Sequence, residues 1–193
     1  MIIYMFKFVC VTDRKLCREE YCEKIRKIVK GESEYPKPDM LILREKDLSE
    51  EEYYNVAKKV QEICEGTGVE LVIHTHVNVA SNLGIKSIHI PLGQFMLLTD
   101  EQKSGFKNIG TSIHSGGDLF LADRLGATYV LAGHIFETNC KLGLPGRGLM
   151  FLKEICDNSK IPVYAIGGIN NDRIPDIKEC GAGGAAIMSG YMK

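Results

Sequence analysis

Apolar residues along this chain collect in short runs at 6–11, 40–43, 71–74, 87–90, 108–112, 129–132, 162–166 and 184–187. These runs are aliphatic and β-branched without strict alternation, the pattern of parallel strands covered by helices. Between them the period changes to that of amphipathic helices. Tyr21, Ile25, Ile28 and Val29 fall at i, i+4, i+7 and i+8, which places them on one helix face. Ser49 with Glu52 forms a capping box, followed by the stripe Tyr53, Ala57, Val60 and Cys64 and a stop at Gly66. Thr99 with Gln102 repeats that signal before a shorter helix, and Leu119, Ala122 and Leu125 make a further stripe ended by Gly126. Later helices are predicted over 148–156 and about 172–180, the second stopped by Gly181.

Eight strands alternating with helices predict an α/β fold, either a closed barrel or an open doubly wound sheet. No G-x-G-x-x-G follows the first strand, and the last two strands end in phosphate-type turns. Both features favour a (βα)8 TIM barrel of parallel strands, a single domain over 1–193. The length is short for that fold, usually ~250 residues. Only four residues follow Ser189, so the last helix is expected to be truncated or missing. The seam left beside it calls for cover from neighbouring segments or a second subunit, and a homodimer is expected. The charged, proline-bearing segment 31–39 reads as a loose surface connection.

The charge balance is −1 and the basic residues are dispersed, which argues against nucleic acid or an anionic membrane as partner. The apolar stretch 1–11 is interrupted by Lys7 and meets Thr12-Asp13-Arg14 too soon to span a bilayer. Without a basic lead or a small-residue cleavage site it reads as the first strand rather than a signal peptide. The seven cysteines are odd in number and form no C-x-x-C; a reducing, cytoplasmic setting fits them.

The chemistry expected at the C-terminal strand ends of a barrel narrows the candidates. Gly167-Gly168 closes the run 163–166, and Met188-Ser189-Gly190 follows 185–187. Bare amides there, with those opening the next helix, suit a phosphate. The competing reading is that these glycines only turn the chain. His134 follows strand six directly, between Gly133 and Ile135-Phe136, where partial desolvation would keep a neutral base available. Arg44 and Lys46 after strand two could hold an anion, or could be solvated ion pairs with Glu45 or Asp47. Lys141 could close over an anion, while Cys140 beside it lacks the cationic surroundings of an activated thiol. His74 and His76 would share a strand face, with His89 and His114 elsewhere. No acidic partner stands at the neighbouring strand ends, so no metal is expected.

Taken together, Val11-Thr12-Asp13, Leu43-Arg44-Glu45-Lys46, Gly110-Thr111-Ser112-Ile113-His114-Ser115, Ala165-Ile166-Gly167-Gly168-Ile169 and Ile187-Met188-Ser189-Gly190 resemble the thiamine phosphate synthase and TenI family of barrels. The resemblance runs nearly the whole chain. The synthase branch implies Mg2+ held by aspartates in N-D-R-V-D and H-L-G-Q-E-D motifs. Here the matching stretches are His74-Thr75-His76-Val77-Asn78 and His89-Ile90-Pro91-Leu92-Gly93-Gln94, which put Thr75 and Gln94 at the aspartate positions and Ile42 at a usual glutamine. Mg2+ is a hard cation that wants carboxylate oxygens. The run Gly133-His134-Ile135-Phe136-Glu137-Thr138-Asn139-Cys140-Lys141, continuing to Gly146-Arg147-Gly148, is similar instead to TenI-type thiazole tautomerases, as is Pro91-x-Gly93-x-Phe95.

That resemblance implies a cofactor-free isomerase of thiamine biosynthesis that aromatises a carboxythiazole phosphate. His134 would move the proton, and Gly167, Gly168, Met188, Ser189 and Gly190 would hold the phosphate. Arg44, Lys46, Ser112, Thr138, Cys140 and Lys141 would place the rest of the small phosphorylated thiazole. The alternatives are a thiamine phosphate synthase and a non-catalytic thiazole-phosphate-binding regulator.

Overall fold

In the computed structural model, which describes residues 5–138 and 143–193, eight parallel strands close on themselves in sequence order. They are β1 Lys7–Val11, β2 Met40–Leu43, β3 Glu70–His74, β4 Ser87–Pro91, β5 Asn108–Ile113, β6 Tyr129–Gly133, β7 Val163–Ile166 and β8 Gly184–Ile187. Closure is direct: β1 pairs with β2 through Val9–Met40 and with β8 through Phe8–Ala185. The fold is the TIM barrel expected from the strand and helix pattern. No described helix is long and apolar enough to cross a membrane.

The helices around it are α1 Tyr21–Lys30, α2 Glu50–Cys64, α3 Val77–Asn82, α4 Leu92–Phe95, α5 Asp100–Ser104, α6 Gly116–Leu125, α7 Gly148–Asn158, α8 Ile174–Glu179 and α9 Ser189–Met192. Both capping boxes form, with Ser49 and Thr99 accepting from the amides of Glu52 and Gln102. The α2 stripe Tyr53, Ala57, Val60 and Cys64 is buried as a set. Gly126 ends α6 in the left-handed region at φ 87°.

Each strand is buried on both faces, which is why its sequence does not alternate. Cys10, Leu41, Ile73, Ile88, Val130, Ala165 and Ile187 pack outward against the helices. Val9, Val11, Met40, Ile42, Val72, Tyr129, Leu131, Tyr164 and Ala186 form a second, smaller cluster on the alternate, inward positions.

The last helix is truncated to a single turn, as expected, and its Tyr191 and Met192 are fully buried. The segment 31–39 is not loose at its centre: Tyr35 is buried and packs on the Tyr191 ring at 5.3 Å. Tyr191 Oη also donates to the Pro36 carbonyl at 2.7 Å. The seam that motivated a dimer is thus covered by the chain's own residues.

Candidate active site

The C-terminal strand ends surround a cavity of about 390 Å³. Arg44, Lys46, Ser112, His134, Thr138, Gly167, Gly168, Met188 and Ser189 line it, so nine of the predicted site residues meet in one place. Gly190 does not. It faces the adjoining groove, and a Cβ there would overlap the Tyr35 ring, so its small size serves packing. Cys140 and Lys141 lie outside the described residues.

His134 is held by backbone on both sides. The amides of Ile135 and Phe136 donate to the carbonyls of Ile166 and Gly167 at 2.9 and 3.1 Å, continuing the β6–β7 pairing beyond the strands. From the other side the Arg147 amide donates to the His134 carbonyl at 2.9 Å. The glycine pair takes part in this clamp. Gly167 (φ 101°) and Gly168 (φ 64°) both have positive φ, and a Cβ on Gly167 would stand 2.8 Å from His134 Cα. A Cβ on Gly168 would meet Phe136 Cβ at 2.9 Å. Glycine is required here for turn conformation and close packing as well as for open amides.

The His134 ring is 7% exposed, and its Nε2 donates to the Leu144 carbonyl at 3.2 Å. A carbonyl can only accept, so the neutral ring carries its proton on Nε2 and its lone pair on Nδ1. Among the described residues, Nδ1 of His134 is the buried side-chain polar atom without a hydrogen-bond partner. A buried orphan of this kind is uncommon and marks a site.

His114 and His89 complete a ring of imidazoles that sequence reasoning left unassigned. His114 donates from Nδ1 to the Gly133 carbonyl at 2.6 Å. His89 is buried, with Nε2 2.9 Å from Ser112 Oγ and Nδ1 3.2 Å from Tyr129 Oη. Burial pushes its pKa down to about 3. His74 lines the cavity too, also lowered to about 3 by burial first and then by the Arg44 and Lys46 charges. His76 is not its neighbour in the site: β3 ends at His74, Thr75 turns the chain at φ 70°, and His76 stacks on Tyr53 at 4.1 Å. The shared strand face expected of the two histidines does not exist.

The ion pairs also differ from expectation. Glu45 is 2% exposed, and its carboxylate stands 3.5 Å from the Arg14 guanidinium. It accepts from Thr12 Oγ1 at 2.7 Å, from Tyr21 Oη at 3.0 Å and from the Arg14 amide at 3.0 and 3.1 Å. Asp47 takes Arg14 and Lys15, while Arg44 stands 3.8 Å from Asp13. Glu45 is therefore a buried anchor that ties the loop after β1 to the residues after β2 and leaves Arg44 and Lys46 on the cavity wall.

The positions that would hold Mg2+ in a synthase do not suit it. Thr75 Oγ1 lies 2.7 Å from His74 Nδ1, and Gln94 is exposed on α4. Among the described residues no three His, Cys, Asp or Glu side chains are gathered as a metal site.

The family model described as thiamine monophosphate synthase matches residues 8–191. A thiamine-phosphate synthase of Clostridium acetobutylicum is 32% identical over 189 residues, covering 97% of this chain and 87% of that protein. A putative thiamine-phosphate synthase 2 of Aquifex aeolicus is 30% identical, covering 97% of this chain and 98% of that protein. Among solved structures, a thiamine phosphate pyrophosphorylase from Pyrococcus furiosus superposes with a TM-score of 0.80 at 25% identity, covering 95% of this chain and 86% of its own.

Proposed function

The chain belongs to the thiamine monophosphate synthase family, and within it we propose that this protein is a cofactor-independent thiazole tautomerase. The observation that carries the reading is that His134 lines the strand-end cavity while its Nδ1 is buried and, among the described residues, unpartnered. A neutral imidazole whose Nε2 proton is already committed to a carbonyl offers one basic atom, on Nδ1. That atom would take the proton from the ring carbon of a non-aromatic carboxythiazole phosphate. The electron pair released passes through the ring to the exocyclic carbon, which receives the proton back from the same nitrogen. Aromatisation drives the step, and the proposal routes nothing through a metal.

The phosphate is assigned to Gly167, Gly168, Met188 and Ser189, which line the same cavity as Arg44 and Lys46. Those two cations, with Ser112 and Thr138, would receive the remaining polar groups. Cys140 and Lys141 are retained as substrate contacts on the resemblance alone. A cytoplasmic setting and a small phosphorylated thiazole as the partner complete the reading.

A second reading is supported by the names of eight relatives at 27–33% identity, thiamine-phosphate synthases, one of them named as putative. Thr75 and Gln94 weigh against it. One pair of assays separates the two. Purified protein is given pyrimidine diphosphate, thiazole phosphate and Mg2+ in one tube and the non-aromatic carboxythiazole phosphate in the other. We expect no pyrophosphate in the first and the aromatic tautomer in the second. Pyrophosphate release at a synthase-like rate would replace the tautomerase with the second reading.

A further inference from the structure

Three strands present one residue each at the same level of the barrel. His89 on β4 is in register with Gly110 on β5, and Gly110 with Tyr129 on β6. Gly110 lies between the other two and has no side chain. A Cβ there would fall inside the Tyr129 ring. The glycine is what lets the Tyr129 phenol cross β5 and reach His89 Nδ1 at 3.2 Å. On the far side of the same imidazole, Nε2 reaches Ser112 Oγ at 2.9 Å. Ser112 is two residues along β5 and lines the cavity.

His89 is wholly enclosed and its neutral form is favoured by that burial. The other groups facing it are the His74 imidazole, stacked at 6.0 Å, and beyond Tyr129 the Tyr164 ring, at 5.4 Å from Tyr129. A neutral imidazole has one donor and one acceptor, so the chain of three can run in only two directions. Either Tyr129 donates to Nδ1 and Nε2 donates to Ser112, or Ser112 donates to Nε2 and Nδ1 donates to Tyr129. The first direction leaves the Ser112 hydroxyl proton free to point into the cavity; the second consumes it. A phenol, being far more acidic than an aliphatic alcohol, is the better donor of the two hydroxyls, which favours the first direction.

We propose that Tyr129, acting through His89, sets Ser112 as a hydrogen-bond donor toward the anionic ligand of the cavity, with Gly110 as the gap that makes the relay possible. Tyr129 and His89 are positioning residues and touch no substrate. The anionic nature of the ligand rests on the proposed function; the direction of the relay does not.

The test has two arms. In the free, 15N-labelled protein, the side-chain nitrogen spectrum reports the tautomer of His89 directly. The proposal expects the proton on Nε2; a proton on Nδ1, or a doubly protonated ring, overturns it. In the second arm the aromatic thiazole phosphate is titrated into wild type, Tyr129→Phe, Ser112→Ala and the double variant. Loss of one donor is expected to weaken binding roughly tenfold in Ser112→Ala and by several-fold in Tyr129→Phe. The double variant should bind no worse than Ser112→Ala, because Tyr129 acts only through the serine. Additive losses, or a Tyr129→Phe affinity equal to wild type, contradict the relay. Failure of the thiazole phosphate to bind wild type would count against the tautomerase reading instead, and the tautomer of the free protein would still decide the relay.

Discussion

Gly167 and His134 are in van der Waals contact across the ends of β7 and β6, so closely that a Cβ on the glycine would stand 2.8 Å from the histidine Cα. Two constraints meet at that position, the positive φ of 101° and the missing side chain. Gly167→Ala therefore strains the backbone and pushes on the segment that carries the proposed base. Overpacking of this kind costs about 1–3 kcal/mol. The urea midpoint should fall accordingly, and turnover should fall further than the lost stability explains, because the imidazole is displaced.

Glu45 gives a second prediction. Its carboxylate accepts from Thr12 Oγ1, Tyr21 Oη and the Arg14 amide while almost wholly buried. In Glu45→Gln one oxygen becomes an NH2 that faces donors. Leaving buried donors unpaired costs roughly 1–3 kcal/mol, so equilibrium urea unfolding should show a loss in that range. An unchanged midpoint would remove Glu45 as the anchor of the two loops. Thr12→Val should reproduce part of the effect, since Thr12 Oγ1 also accepts from the Arg44 amide at 2.9 Å.

The C-terminal turn is testable by a single atom. Tyr191→Phe removes the hydrogen bond to the Pro36 carbonyl and should cost about 1 kcal/mol in the same experiment. A much larger loss would mean that the seam beside β8 depends on this contact more than on the burial of the ring.

Much of this architecture was legible before any coordinates. The runs 40–43 and 184–187 coincide with β2 and β8 because each is apolar throughout and flanked by breakers such as Pro38, Asp39 and Gly183. Capping boxes marked the starts of α2 and α5. The short α3 was missed, since it follows a positive-φ Thr75 and begins at His76 without a side-chain cap. Nine residues of the cavity wall were foreseen, from the rule that strand ends carry the site. What could not be read was the partnership of buried polar groups. Glu45 looked like half of a surface ion pair because its sequence neighbours are Arg44 and Lys46. Its true partners come from the loop after β1 and from α1, and only the closed barrel brings them near. His89 was noted but its partnership was hidden for the same reason: Tyr129 lies 40 residues away. The spacing Gly110-x-Ser112 was noted as a motif, but a glycine's value as a gap for another strand's side chain appears only with the register.

Stability should also depend on pH in a set direction. The His74 and His89 pKa values are lowered from 6.5 to about 3 in the fold. Above pH 6.5 both rings are neutral folded or unfolded and contribute no slope. As pH falls from 6.5 toward 3, the unfolded chain takes up protons that the folded one refuses, so stability is lost across that window. Each ring contributes a slope of ~1.4 kcal/mol per pH unit within it. Urea midpoints of wild type and His74→Asn between pH 7 and pH 5 check this; the variant should show the shallower decline, and parallel declines would contradict it.

The most direct test of the account is the turnover of His134→Ala on the non-aromatic carboxythiazole phosphate, measured beside its affinity for the aromatic product. Loss of the one base should slow tautomerisation by ~100-fold or more, while the phosphate end of the cavity keeps product affinity close to wild type. Equal turnover by wild type and variant would take His134 out of the chemistry, and with it the reading of this barrel as a tautomerase.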